Sequence, residues 1–249
     1  MNSAHPQILV WQSAACTHVG NVRKVNQDAY LSMPELGLWA VADGMGGHHA
    51  GELASSRIVE FLQDVEEPLN LDQFIASAVD RLQAVNLDLR EESLRRDHAV
   101  IGSTVAVLVA FGFECACIWA GDSRVYRYRS GRMERLTVDH SLVEEYIAQG
   151  RLRPEEAESD PAANVITRAV GVEDQVEFDV RKFDLSNGDR FLICSDGLYK
   201  EVSEAEIAGL LGTGDCAAVV DRLLALALER RGRDNISIVA VNIDNPFSA

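Results

Sequence analysis

The chain is short of positive charge. Its 23 lysines and arginines stand against 39 aspartates and glutamates, a formal net charge of −16 over 249 residues. Nucleic-acid binding rests on basic patches that neutralise backbone phosphates, and polybasic segments draw proteins to anionic membranes. The balance here argues against both partners. Long apolar runs are missing too. The most apolar stretch, residues 99–113, is too short to span a bilayer and contains Gly102 and Gly112. Residues 1–22 hold no Asp, Glu, Lys or Arg, yet they have no basic start, and their longest apolar run covers residues 8–11. A secretory signal is not expected, and the protein is expected to be cytoplasmic, without membrane insertion. Cysteine is sparse and odd in number, at five, and no two stand as Cys-x-x-Cys. That excludes the usual zinc spacing and leaves buried thiols in a reducing compartment. Cys216 and Arg222 match the Cys-x5-Arg spacing of cysteine-dependent phosphatases, but the segment reads as an amphipathic helix without a phosphate-cradling glycine loop. Internal repeats and low-complexity linkers are absent, so residues 1–249 are expected to form one domain.

What the chain does have is carboxylates at the ends of apolar runs. Asp43 in LWAVADGMGG, Asp122 in CIWAGDSR and Asp196 in FLICSDGLY each follow such a run, and Asp234 in RGRDNISIVAV precedes one. Short apolar runs bounded by Gly and Asp read as buried strands. A carboxylate at a strand mouth costs several kcal/mol to desolvate if unpaired, and no matching set of basic residues stands beside these four. A shared multi-metal centre is the economical reading, because hard divalent cations take carboxylate and carbonyl oxygens. Bound cations would also offset the repulsion of an acidic surface for a phosphorylated substrate.

Asp-Gly alone is a common hairpin dipeptide. After Asp43, however, the next element reads as a helix, and Gly44, Gly46 and Gly47 let the backbone approach closely and turn carbonyls inward. Asp43 and the Gly44 carbonyl therefore read as ligands. Asp196-Gly197 repeats the arrangement, and Asp234 reaches the same rim if its strand runs alongside. Asp28 ends the run that starts at Arg23, just before a strand. The Arg23 guanidinium is a fork of donors suited to phosphate oxygens; a surface salt bridge is its plainer reading.

Strands are expected over residues 8–15, 30–33, 38–42, 105–111, 114–120, 124–129, 132–136, 176–183, 190–195 and 235–243. Helices are expected over residues 51–65 and 71–97, the second capped by Asn70 with Gln73 three residues on. A short helix follows Ser141, with Glu144 in the capping-box position. Another follows Ser203 with Glu206, and the last covers residues 215–230. Residues 151–164, charged and broken by two prolines, read as a surface excursion. Meanders favour antiparallel sheets, so helices covering packed sheets, an α+β sandwich, is the expected class.

In chain order the motifs are Arg23 with Asn26-Gln27-Asp28, Asp43-Gly44-Met45-Gly46-Gly47, Gly102-Ser103-Thr104, Gly121-Asp122-Ser123-Arg124, Ser195-Asp196-Gly197 and Asp234-Asn235. Together they resemble the metal-dependent serine/threonine protein phosphatases of the PPM or PP2C family, over roughly residues 14–241. Each motif alone is degenerate; six in order are specific. The resemblance implies a PP2C-like β-sandwich of two antiparallel sheets flanked by helices on both faces, with two Mn2+ or Mg2+ ions at one edge. Asp43 would bridge both ions and the Gly44 carbonyl would hold one. Asp196 and Asp234 would hold the second, and Asp28 would act through a water. Asp122, with Asp196, would form a weaker third site, and Arg23 would grip phosphate. The implied chemistry is direct attack of a metal-activated water on phosphorus. Met45 stands where animal members carry the histidine proposed as general acid, so His48 is the expected substitute, with His49 or a metal-bound water as alternatives. His140 reads as structural. Residues 141–170 match the bacterial flap beside the active site. Implied partners are phosphorylated proteins and a cognate bacterial serine/threonine kinase, with the chain a monomer, in the style of phosphatases of type VI secretion control. Two other readings stand beside this one. A catalytically silent phosphoprotein-binding regulator would be expected to lose metal ligands, and Asp43, Asp196 and Asp234 are present. A SpoIIE-type regulatory phosphatase usually carries sensor domains, and none is visible.

Overall fold

The central strand runs, residues 105–110 and 115–120 above all, are apolar because both of their faces are covered. The computed structural model describes residues 9–47, 49–97 and 99–244. In chain order its elements are β1 (Val10–His18), β2 (Asp28–Met33), β3 (Leu38–Met45), α1 (Ala50–Gln63), α2 (Leu71–Arg95), β4 (Gly102–Ser103), β5 (Val105–Phe111), β6 (Glu114–Ala120), β7 (Arg124–Arg129), β8 (Arg132–Arg135), α3 (Leu142–Ala148), β9 (Asp179–Asp184), β10 (Arg190–Cys194), α4 (Asp196–Tyr199), α5 (Glu204–Leu211), α6 (Cys216–Arg230) and β11 (Ile236–Asp244). A first sheet runs β1-β11-β10-β7-β8 and a second runs β2-β3-β5-β6-β9, with β4 paired to β3. Their pairings are antiparallel.

Alternation along the strands sorts the core into three layers. Leu38, Ala40, Val105 and Val107 face α1 and α2, meeting Ile58, Phe74, Leu82 and Leu89. Trp39, Val41, Ala106 and Leu108 point the other way, into the space between the sheets, where they meet Phe191, Ile193, Val239 and Val241. Leu192, Cys194, Ile238 and Ala240 face Ile207, Val219 and Leu223 of α5 and α6. Each valine, leucine, isoleucine or phenylalanine among them contributes roughly 1.5–3 kcal/mol on burial. The α+β sandwich flanked by helices on both faces is the architecture observed. Among the described residues no helix is long and apolar enough to cross a membrane.

Helix starts follow their caps. Asn70 Oδ1 accepts the Gln73 amide at 2.9 Å, and Ser203 forms a reciprocal capping box with Glu206. The Cys216–Arg222 segment lies in α6, as expected. Several boundaries moved: β2 begins at Asp28 and β3 runs on to Met45, so both carry site residues within the strand, and β4 was not expected. The first strand begins at Val10 and runs to His18, and residue 8 lies outside the described residues. The strand expected from residue 176 begins at Asp179, because Val176 and Phe178 pack into the layer under α2 instead of pairing. Asp196 does not merely end a strand; it opens the one-turn helix α4. The excursion after α3 contains a 3-10 helix, Pro154–Ser159.

Candidate metal centre

The sheet registers gather five aspartates at one end of the sandwich. In the second sheet Asp28 stands directly across from Asp43 on the neighbouring strand, a placement that like charges make unfavourable. In the first sheet Cys194 pairs with both Arg124 and Ile238, and Ile236 pairs with His18. Asp122, Asp196, Asp234 and the segment carrying Arg23 therefore leave the sheet at one edge. They line a cleft of about 1090 Å³ together with Asp43, Gly44, Thr104, Tyr199 and Lys200. Asp28 is buried and does not reach the cleft wall.

Local bonds fix these carboxylates. Thr104 brackets Asp43: its amide donates to the Asp43 carbonyl at 2.9 Å, and its hydroxyl accepts the Asp43 amide at 3.3 Å. Ser195 Oγ donates to Asp28 Oδ2 at 2.6 Å while accepting the Ser237 amide at 2.9 Å. Asn235 clamps the Arg23 segment to β11. Its Oδ1 accepts the Gln27 amide at 2.8 Å, and its Nδ2 donates to the carbonyls of Val19 and Val25. A Cβ on Gly44 would collide with the carbonyls of Gly51 and Gln27, so this glycine serves the close approach of the chain's own backbone.

Desolvation and mutual repulsion leave several of these acids under-stabilised as anions. Asp43 keeps partial exposure to the cleft, yet desolvation, followed by the charges of Asp28 and Asp196, drives its pKa far above the carboxylate range. Burial pushes Asp28 up to about 7 against the opposing hydroxyls of Ser195 and Ser237. Burial and Asp196 push Asp122 up to about 6. Asp28 Oδ1 and Asp196 Oδ1 are buried without a hydrogen-bond partner. Oxygen donors, orphaned oxygens and clustered negative charge all suit hard divalent cations.

The expectation that no basic residues attend the acids is corrected. Lys200, one turn beyond Asp196, bonds Asp196 Oδ2, and Arg23 Nη2 donates to Asp234 Oδ2 at 2.7 Å. With those two acids held by cations, no group of three or more His, Cys, Asp or Glu closes into a ready ligand set among the described residues. A metal held here would need side chains to move. Arg23 thus sits in the plainer role of a salt bridge, but at the cleft wall.

His48 lies outside the described residues. His49 places Nδ1 3.0 Å from Glu52 Oε2 on the exposed start of α1, away from the cleft wall. His140 accepts the Gly121 amide on Nδ1 at 3.1 Å and stacks on Trp119, and burial followed by Arg168 lowers its pKa, in keeping with a structural part. Residues 141–170, the segment expected as a flap, are held at their ends by the Ser141–Ile166 and Ser103–Val170 bridges.

The family model for protein phosphatase 2C matches residues 18–236. The chain belongs to the protein phosphatase 2C family. It is 33% identical over 94% of its length to the serine/threonine protein phosphatase PstP of Mycobacterium tuberculosis, of whose length it spans 45%. It is also 33% identical to the protein phosphatase PhpP of Streptococcus pneumoniae, covering 92% of this chain and 96% of that one. The fold superposes on PppA, described as a key regulatory component of T6SS in Pseudomonas aeruginosa, with a TM-score of 0.89 and 42% identity, over 95% of this chain and 99% of that one. It superposes equally on the PstP catalytic domain in complex with two manganese ions, with a TM-score of 0.86 and 32% identity, over 95% and 99% of the two chains.

Proposed function

We propose that this chain hydrolyses phosphoserine and phosphothreonine in proteins, using two divalent cations, and so opposes a serine/threonine kinase. The observation that carries the reading is the meeting of Asp43, Asp196 and Asp234, from the edges of two different sheets, at one cleft where Asp196 Oδ1 lacks a partner, with the orphaned Oδ1 of Asp28 buried on the strand beside Asp43. Asp43 and the Gly44 carbonyl would hold one ion, and Asp43 with Asp196 and Asp234 the other, with Asp28 acting through water. Mn2+ is supported by the manganese-bound relative, and Mg2+ suits the same oxygen donors. Bound divalent cations supply Lewis acidity and a water activated at neutral pH for in-line attack on phosphorus.

The chain's own residues do the rest. Arg23, at the cleft wall, swings from Asp234 to the phosphate once Asp234 is engaged, and offers paired donors to the equatorial oxygens. Thr104 holds the Asp43 backbone in place, and Ser195 turns Asp28. The flap, with Ser141, Val143, Glu144, Ile147 and Asn164 on the cleft wall, contacts the polypeptide around the phosphorylated residue. The identity to PppA supports a phosphoprotein of type VI secretion control as the substrate.

The test is phosphate release from a phosphothreonine peptide with EDTA, Mg2+ and Mn2+ compared side by side. Release that requires the metal is expected. No release with either metal, from protein shown to be folded, would sink the enzymatic reading and leave a phosphoprotein-binding regulator.

A further inference from the structure

One cation on the cleft wall has no part in the chemistry above. Lys200 closes the one-turn helix that Asp196 opens, and its ammonium bonds Asp196 Oδ2. The same ammonium donates to Asn164 Oδ1 at 2.7 Å. Asn164 belongs to the flap, 36 residues earlier in the chain. An ammonium has three donors and no acceptor, and here two are spent on a centre carboxylate and a flap amide.

Lys200, Asp196 and Asp122 line the same cleft, with the ammonium seated on the Asp196 carboxylate. The far side of Asp122 is closed by Tyr199, whose hydroxyl donates to the Asp122 carbonyl at 3.0 Å and to Oδ2 at 3.3 Å. Tyr199 is itself pinned under the Arg124 guanidinium, 3.6 Å from its ring centroid, and Arg124 is locked on Asp139 through both carboxylate oxygens. Asp196 divides its labour: Oδ2 is taken by Lys200, while Oδ1 is buried and without a partner.

We propose that Lys200 is the resident cation of the Asp122–Asp196 corner, standing where a third divalent ion would otherwise bind, and that its bond to Asn164 fastens the flap to the metal centre. The proposal rests on the metal-dependent reading of Asp43, Asp196 and Asp234. Two consequences follow from the geometry. The chain saturates with two divalent ions, because the third corner is already filled by a side chain tethered to the backbone. The flap is tied to the carboxylate that holds a core ion, so Lys200 is a positioning residue for whatever substrate lies beneath the flap.

Both consequences can be read without turnover. EDTA-stripped full chain is titrated calorimetrically with Mn2+, for the wild type, Lys200→Met, Lys200→Arg and Asn164→Ala. The wild type, Lys200→Arg and Asn164→Ala are expected to saturate at two ions and Lys200→Met at three. Limited proteolysis within residues 151–163, in EDTA, is expected to be several-fold faster for Lys200→Met and Asn164→Ala, and restored toward wild type by Lys200→Arg. A third ion already bound by the wild type, or an unchanged isotherm for Lys200→Met, overturns the resident-cation role. Unchanged proteolysis in both variants overturns the flap tie. A wild type that binds no Mn2+ overturns the metal reading itself and the resident-cation role with it; the proteolysis in EDTA then decides the flap tie alone.

Discussion

The two sheets bring their acids to the cleft in opposite states. The second sheet delivers Asp28 and Asp43 as cross-strand neighbours, and among the described residues neither lies within ion-pair distance of a basic side chain. The edge of the first sheet delivers Asp196 and Asp234, each already bonded to a cation, Lys200 and Arg23. One half of the centre is frustrated until an ion arrives, and the other half is neutralised by the chain itself. Electrostatic frustration of this kind marks where the fold gives up stability for binding, so a bound ion would contribute to stability chiefly through the Asp28–Asp43 half.

Replacing one acid from each half tests this most severely. Loss of an outer-shell partner already costs about 10–100-fold in metal affinity or activity, and loss of a ligand is expected to cost more. Asp43→Asn and Asp196→Asn should therefore both abolish phosphate release at ordinary Mn2+ concentrations. Their metal-free stabilities should part. Asp43→Asn removes a desolvated, repelled charge and should raise the melting temperature in EDTA, by about 2–4 °C for each kcal/mol relieved. Asp196→Asn removes the partner of Lys200 and should bring no rise. Retained activity of Asp196→Asn in saturating Mn2+ would remove that residue from the ligand set. Equal melting shifts in EDTA would erase the contrast between the halves.

The same contrast has a pH signature of smaller size. Desolvation holds Asp43 far above the carboxylate range, and burial holds Asp28 near 7 and Asp122 near 6. A carboxyl whose folded pKa is raised stabilises the fold below its unfolded pKa, and that stability is lost as pH rises through the folded value. Thermal melts in EDTA should therefore fall between about pH 4 and pH 7. His140, with its pKa lowered by burial and Arg168, works the other way: its stability is lost as pH falls toward its folded value. Asp43→Asn isolates the carboxyl contribution and should flatten the slope. Saturating Mn2+ should flatten it too, because ions bind the deprotonated acids. A wild-type melt in EDTA that climbs steadily across this window would contradict the desolvation of the second-sheet pair.

How much of this was legible in the sequence differs between the halves as well. The aspartates could be read because each sits where an apolar run meets a glycine or a turn, a local signal. Which face each strand turns to which layer could not, because runs such as residues 105–109 are apolar on both faces and periodicity carries no sign there. The partners of the acids were hidden for other reasons. Lys200 reaches Asp196 only because α4 forms, and four residues are too few to show a helical period. Asn235 and Ser195 stand inside motifs that read as ligand sites, yet they bond Gln27, 208 positions away, and Asp28, 167 positions away. Contacts at that separation are set by the register of strands, which sequence pattern alone leaves open.

Arg23 offers the finest test, because it belongs to the self-neutralised half and yet is assigned to substrate. Its pair with Asp234 is 2.7 Å long, and the two side chains are 54% and 37% exposed. Such a pair contributes at most about 1 kcal/mol to the fold, so Arg23→Lys should leave the melting temperature in EDTA almost unmoved. Lysine keeps the charge and can still reach Asp234, but it lacks the guanidinium's fixed fork. If Arg23 grips phosphate, the variant should raise KM for a phosphothreonine peptide roughly tenfold, the equivalent of one charge-assisted hydrogen bond of about 1.5 kcal/mol, with a smaller change in kcat. If Arg23 serves only to orient Asp234, lysine should restore that duty. KM should then stay put, and any loss should vanish as Mn2+ is raised. A KM effect that excess Mn2+ cannot repair therefore separates the phosphate grip from the surface salt bridge, and it would locate the border between the half proposed to hold metal and the residue proposed to meet substrate.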